Sequence, residues 1–310
     1  MDWIWMLIWF VTYAVGAVLY EIYIVHMFQQ NSYKPREYRE WMQVRSNVGR
    51  LLGKSLYAVI SLPLVLVGNT GCLIAACVMN AMTILVNKPR QAKKPLVYTM
   101  RVRRMLVTTT VLYVVGMLLS LAAGAYRERV CGGILLALFL VQPFLILLVN
   151  WINRPLEQAI DRHYVADAAR ILREMPNLTV IGVTGSYGKT SVKYFLNTLL
   201  SSRFNVLQTP GNYNTTLGVV RTIREQMKPF HEIFICEMGA REVGDIKEIC
   251  DLVHPDHGII TSIGPQHLQS FHTIENIIGT KFELADAVPA EGRVFLNYDN
   301  GYIRGHKIDK

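Results

Sequence analysis

The sequence has no Cys-x-x-Cys pair, no cysteine-dense stretch and hardly any acid in its first half. Its five cysteines, Cys72, Cys77, Cys131, Cys236 and Cys250, are scattered. That excludes a disulfide framework and a zinc ribbon, and it fits a reducing compartment for the second half. No positively charged segment precedes the first apolar run, no small-residue cleavage site follows it, and the run is too long for a cleaved signal peptide. Up to residue 154 only 5 acidic residues stand against 16 basic ones, whereas from residue 155 onward 18 acidic residues oppose 16 basic ones. The net charge of +9 therefore belongs to the first half. There the basic residues lie between long apolar runs, a pattern that membrane topology explains and nucleic-acid binding does not. No nucleic-acid partner is expected.

Apolar residues make up 51% of the chain, high for a soluble protein. Residues 3–28 are almost continuously apolar, long enough for a spanning helix of ~20 residues. Glu21 interrupts the run near its cytoplasmic end, where a carboxylate either snorkels or faces another helix. Two basic stretches follow. The first carries Lys34, Arg36, Arg39, Arg45, Arg50 and Lys54; the second carries Lys88, Arg90, Lys93, Lys94, Arg101, Arg103 and Arg104. Both are expected on the cytoplasmic side, with contact to anionic lipid as the alternative cause of their charge. The apolar residues 51–86 between them must then enter and leave on one side, as a hairpin turning at Gly68-Asn69-Thr70-Gly71, either spanning or re-entrant. Residues 105–126 and 130–152 form a second hairpin around Arg127-Glu128-Arg129. The expectation is about five spans over residues 1–153, a multi-pass plasma-membrane location with membrane lipid as partner, and a cytoplasmic domain over residues 154–310. Asn153-Arg154-Pro155 reads as the start of an amphipathic helix from Pro155 to Met175.

The second half is organised around Gly182-Val183-Thr184-Gly185-Ser186-Tyr187-Gly188-Lys189-Thr190. An apolar strand from Leu178 runs into a Gly-rich turn that delivers Lys189, Thr190 and Ser191 to a helix start. Backbone N–H groups there suit a polyphosphate, Lys189 its β/γ-phosphates and the Thr190 hydroxyl a Mg²⁺ ion. The spacing G-x-x-x-x-G-K-[ST] lacks its first glycine, because Val183 stands there. Strands are expected at 178–183, 205–209, 232–236, 258–263 and 293–297, with helices at 192–202, 216–226, 243–252 and 274–288. Such alternation predicts an α/β domain with a mostly parallel sheet and a ligand at the carboxyl ends of its strands.

Three polar residues follow strands or lie near them. Glu237 could orient hydrated Mg²⁺ or be a solvated cap; His267 could ligate a second Mg²⁺ or be structural; Lys281 reads first as a solvated helix residue. Asn212 and Asn214 end a strand and could meet phosphate or substrate, or merely shape the turn. His254 and His257 straddle Pro255 and read as structural.

Taken together, these residues resemble the ATP-binding central domain of the Mur ligases, most nearly the type that joins D-Ala-D-Ala to UDP-N-acetylmuramoyl-tripeptide. The resemblance runs from about Leu178 to Asn300. It rests on Thr184 to Ser191, Gly211-Asn212-Tyr213-Asn214-Thr215 with Leu217-Gly218, Glu237-Met238-Gly239-Ala240-Arg241, Ile263-Gly264 to His267-Leu268, Glu275-Asn276-Ile277, Lys281-x-Glu283-Leu284 and Asn297-x-Asp299. That family does not require the missing glycine. The resemblance implies ATP held by Gly185, Ser186, Gly188, Lys189, Thr190, Ser191 and Asn297, and two Mg²⁺ ions held by Thr190, Glu237, His267 and a carbamylated Lys281. It implies catalytic roles for Lys189, His267 and Lys281, and substrate contacts for Asn212, Asn214 and Thr215. The reaction implied is phosphorylation of a carboxylate to an acyl phosphate, then attack by an amine. Ser262 departs from the family's usual Asn, and a membrane bundle replaces the domain that grips the UDP-sugar, suggesting a lipid-linked muramyl substrate. The sequence ends at Lys310, before the family's amine-binding C-terminal domain, so an incomplete enzyme or a partner chain supplying the remainder is expected. Two alternatives stay open: another membrane-bound amide ligase, for poly-γ-glutamate or a lipid-linked cell-wall precursor, and a non-catalytic membrane scaffold with a vestigial nucleotide domain.

Overall fold

The structure, a computed structural model, describes residues 2–67, 69–89, 94–121 and 127–306. Gly68 of the expected first turn, Arg90 and Lys93 of the second basic stretch, and residues 122–126 of the second hairpin lie outside these. The chain divides into two compact units, Met1–Gln158 and Ala159–Lys310.

Long apolar runs make the first unit all-helical: α1 (Asp2–Gln30), α2 (Pro35–Gln43), α3 (Arg45–Val67), α4 (Thr70–Asn87), α5 (Met100–Leu121) and the start of α6 (Arg127–Arg173). Pro35 opens α2 at a position whose N–H would be unsatisfied anyway. The Asn69 side chain accepts from Cys72 N at 2.8 Å and so caps α4. Tyr20, Ile24, Phe28, Tyr38, Phe139 and Ile146 form the core. Among the described residues four helical stretches are long and apolar enough to cross a membrane: 4–30, 45–67, 70–87 and 137–173.

The distribution of polarity is inside-out. Leu52, Leu66, Leu85, Val107 and Phe144 point outward, while Glu21, Asn80, Thr109 and Gln142 are buried. Glu21 does not snorkel; its carboxylate accepts from Thr109 Oγ1 and Gln142 Nε2, each at 3.0 Å, and so faces other helices. Arg104 and Glu157 form a two-point ion pair at 2.7 and 2.8 Å.

The expected helix start at Pro155 is corrected, because Pro155, like Pro143, lies inside α6. Its ring removes one i→i−4 bond, yet the flanking sequence continues the helix on both sides.

The second unit follows the alternating pattern: β1 (Thr179–Thr184), α7 (Lys189–Leu200), β2 (Val206–Gln208), α8 (Thr216–Gln226), β3 (Ile233–Glu237), α9 (Asp245–Val253), β4 (His257–Ile260), α10 (Leu268–Phe271), α11 (Ile274–Ala287), β5 (Arg293–Leu296) and α12 (Gly301–Arg304). All pairings are parallel, in the order β2-β3-β1-β4-β5. The strand that leads into the Gly-rich loop is therefore central. Register sets Val183 of β1 beside Glu237 of β3 and Thr184 beside Ile260 of β4, so the segments leaving these three strands emerge together. Val183, buried with Ile233 and Ile235, explains the missing glycine: that position is strand core.

β4 ends at Ile260, short of the expected residue 263. Beyond it the backbone turns to hold the Gly-rich loop between β1 and α7. Ser186 N donates to Ser262 O at 2.6 Å and the Thr261 hydroxyl donates to Tyr187 O at 2.6 Å. Gly182 shows how tightly α11 covers β1: a Cβ there would lie 2.6 Å from Leu284 Cδ1 and 3.0 Å from Met238 Cε. Gly182→Val is expected to destabilise the second unit by about 1–3 kcal/mol, read as a lower urea midpoint at unchanged slope.

Candidate functional site

Glycine geometry shapes the loop between β1 and α7. Gly185 has φ +148° and Gly188 φ +82°, and a Cβ on Gly185 would strike Thr261 Oγ1 and the backbone of Ser262. The N–H groups of Gly188, Lys189, Thr190 and Ser191 find no acceptor among the described residues, although Val192 N already bonds Gly188 O at 3.0 Å. Four unsatisfied donors at the positive end of a helix form an anion site. Lys189 reaches back across the same loop, with Nζ donating to Gly185 O at 2.6 Å and Ser186 O at 3.4 Å. Burial lowers its pKa, and the nearby Glu237 partly offsets that shift.

Glu237, at the end of β3, is 1% exposed and draws three side chains to itself. The Thr190 hydroxyl lies 3.1 Å from both carboxylate oxygens, Asn214 Nδ2 lies 3.2 Å from Oε1, and Lys193 Nζ lies 2.8 Å from Oε2. Thr190 with Glu237 is an all-oxygen donor pair beside the anion site, the type a hard cation such as Mg²⁺ accepts.

Lys281 projects from α11 and is 3% exposed, with no hydrogen-bond acceptor among the described residues. Burial first, then repulsion from Lys189, brings its pKa down to about 8, with Asp245 and Glu283 opposing. His267 precedes α10 with a left-handed backbone, φ +57°. Partial desolvation, then the positive charges of Arg241, Lys281 and Lys189, lowers its pKa. Lys189, Thr190, Asn214, Glu237, His267 and Lys281 thus share one end of the sheet.

Other expected site residues are engaged in shaping the loops. Ser186 Oγ donates to Gly264 O at 3.1 Å. Thr215 caps α8 by accepting from Gly218 N at 3.3 Å. Asn297 Nδ2 donates to Thr261 O at 2.9 Å, while its Oδ1 accepts from Asp299 N at 3.1 Å. Asn212 is exposed, and Asn214 O accepts from Gly239 N at 2.6 Å. His254 ends α9, and His257 Nδ1 accepts from Arg293 N at 3.1 Å, so neither joins the site. Among the described residues no group of three or more His, Cys, Asp or Glu could hold a metal by itself. A cleft of about 580 Å³ lies among Leu172, Met175, Leu178, Val180 and Leu252, and none of the residues above lines it.

The sequence reading missed Lys193. It lies one turn after Lys189, is 0% exposed, and donates to Gly211 O at 2.7 Å as well as to Glu237. Its signal was position alone: on α7 it lies between Val192 and Leu196, which pack towards the sheet. Breaking this pair leaves a buried charge uncompensated. Glu237→Ala is expected to cost about 3–5 kcal/mol, whereas Glu237→Leu combined with Lys193→Met stays near wild-type stability, measured by urea unfolding.

Residues 183–309 match the family described as Mur ligase middle domain. The match lies within the second unit. Curated relatives named UDP-N-acetylmuramoyl-tripeptide–D-alanyl-D-alanine ligase match the same half. The one from Synechocystis is 37% identical over 131 residues, 42% of this chain and 29% of the relative. The Escherichia coli protein is 30% identical over 157 residues, 48% of this chain and 34% of the relative. The crystal structure of the MurF ligase from Thermotoga maritima in complex with ADP is 34% identical, covering 46% of this chain and 33% of that one, with a TM-score of 0.44. The chain spans about a third of the length of these relatives. Gly185 to Ser191, Glu237, His267 and Lys281 all fall inside the matched residues.

Proposed function

We propose that the chain is a membrane-anchored, ATP-dependent amide ligase of peptidoglycan precursor synthesis, adding D-Ala-D-Ala to a muramyl tripeptide. The observation that carries this reading is the set of four unsatisfied N–H groups from Gly188 to Ser191, facing Lys189 and flanked by Thr190 and Glu237. The match to the Mur ligase middle domain supports the reaction class. A carboxylate oxygen of the tripeptide attacks the γ-phosphorus of ATP, the bond to the β-phosphate oxygen breaks and ADP leaves. The amine of D-Ala-D-Ala then attacks the acyl carbon, phosphate departs and the nitrogen loses its proton.

In this reading Lys189 and the loop amides hold the phosphates as charge develops. Thr190 and Glu237 would hold one Mg²⁺, and His267 with a carbamylated Lys281 a second; bound there, the ions would neutralise phosphate charge. Asn214 positions Glu237, and Asn212 lies open to substrate.

The inside-out polarity of the first unit and its four long apolar stretches support a multi-pass membrane domain. The nucleotide site then faces the cytoplasm, where ATP is, and a lipid-linked muramyl acceptor becomes the natural substrate. The regions that the relatives carry beyond the matched part would come from a partner chain or from further sequence.

Mg·ATP binding to the detergent-solubilised chain, lost in the Lys189→Ala variant, tests the nucleotide half of the proposal. Phosphate release that requires both muramyl tripeptide and D-Ala-D-Ala tests ligation, with and without an added Mur ligase C-terminal region. A chain that binds no nucleotide sinks the proposal; one that binds nucleotide but never releases phosphate under either condition is a scaffold.

A further inference from the structure

Lys193 suggests how the site admits a metal. Each Glu237 oxygen already has two partners: Oε1 accepts from Thr190 and Asn214, and Oε2 from Thr190 and Lys193. Lys193 cannot swing aside into water, because it is fully buried and its Nζ also donates to Gly211 O at 2.7 Å. Nearby carboxylates are engaged elsewhere. Asp245 accepts from the N–H groups of Arg241 and Glu242, and Glu283 from those of Gly244 and Lys247. Nearest the carboxylate, Lys193 pairs with Glu237 and Lys189 adds a second positive charge beside the loop N–H groups of Gly188 to Ser191, while Asp245 and Glu283 oppose the charge of Lys281. Such a field draws in a polyphosphate and repels a free divalent cation.

We propose that Lys193 is a gating counter-charge. It occupies Glu237 so that a divalent cation enters only together with the polyphosphate, whose negative charge offsets the surplus. Lys193 also ties three segments, α7, the end of β3 and the turn at Gly211, so the carboxylate stays aimed at Thr190 while it waits. The inference rests on the reading of Thr190 and Glu237 as cation ligands and extends it to the order of binding. Lys193 is a positioning residue here, since it acts on the cation through Glu237.

The test is a Mn²⁺ titration of the full chain in detergent, following the electron paramagnetic resonance signal of free Mn²⁺, without nucleotide and with a non-hydrolysable ATP analogue. Wild-type protein is expected to take up no Mn²⁺ below about 1 mM without nucleotide, and to take it up once the analogue is present. Lys193→Met binds Mn²⁺ without nucleotide at least about tenfold more tightly than wild type, because an unpaired buried carboxylate attracts the ion. Lys193→Arg, which keeps the charge, behaves as wild type. Adding Glu237→Gln to Lys193→Met removes the gain. Where Lys193→Met does not hold its fold, Lys193→Gln carries the same expectation, since it keeps a donor to the carboxylate without the charge. Wild-type protein that binds Mn²⁺ without nucleotide as tightly as the variant overturns the proposal, as does a gain that survives Glu237→Gln. A chain that never binds the analogue refutes the ligase reading, while the nucleotide-free comparison still decides the role of Lys193.

Discussion

Lys189→Ala is expected to weaken ATP binding by about 100- to 1,000-fold while leaving the melting temperature of the second unit nearly unchanged. The size follows from what the ammonium does. It lies 2.6 Å from Gly185 O and 3.4 Å from Ser186 O, so it closes the loop over the same space that the amides of Gly188 to Ser191 face. Against a polyphosphate it supplies the one full positive charge on the loop, partly buried and hence weakly screened. The small effect on stability follows from its neutral partners: removing Lys189 leaves no charge stranded, unlike the loss of Lys193 or Glu237. Lys189→Arg should recover little, because a planar guanidinium does not fit a loop shaped around a compact ammonium. Displacement of a fluorescent ATP analogue measures the affinity. A variant that binds within threefold of wild type would place the nucleotide elsewhere.

The sheet was legible because its signals are local. Apolar, β-branched runs such as 179–184 and 233–237 lie between turn residues, and only a parallel arrangement suits strands separated by helices. The loop was legible for the same reason, and Val183 as strand core removes the one blemish in its spacing. Residues whose role depends on a distant segment were not legible. Lys193 offers only its position one turn after Lys189 until β3 delivers Glu237 to within 2.8 Å. Glu283 stands in the sequence only as part of the Lys281-x-Glu283-Leu284 run, yet it accepts from Gly244 N and Lys247 N, each at 2.8 Å, and so caps α9 from another helix. Ser262 reads as a departure from a family pattern, yet its hydroxyl and carbonyl hold both Tyr187 and Ser186. Pro155 misled because proline favours a helix start but does not require one. In the first unit the spacing of apolar runs revealed the helices, but not that Glu21 turns inward to Thr109 and Gln142.

Lys281 should make the second unit more stable as pH rises between about 8 and 10.5. In the unfolded chain a lysine titrates near 10.5, and in the fold burial brings this one to about 8. Below pH 8 it is protonated in both states and the full penalty of burying its charge applies, about 3 kcal/mol. Between the two values the folded state sheds the proton first, so stability rises with pH; above 10.5 the penalty is gone. Lys281→Met, of similar volume and without charge, is therefore expected to stabilise the unit by up to about 3 kcal/mol at pH 7, with a gain that shrinks above pH 8. Urea unfolding in metal-free, CO₂-free buffer measures it. The same shift has a chemical consequence. At pH 7.5 roughly a quarter of Lys281 is free amine, against about one part in a thousand for an ordinary lysine. A free amine attacks the carbon of CO₂ and loses a proton, which leaves a carbamate and replaces a buried cation with an anion. Incubation with ¹³C-bicarbonate should give one carbamate resonance that Lys281→Arg abolishes, and that grows when Mg·ATP is present if the new carboxylate holds a metal. A resonance that persists in Lys281→Arg would assign the chemistry to another amine, and a flat stability profile from pH 8 to 10.5 would mean that the side chain reaches water.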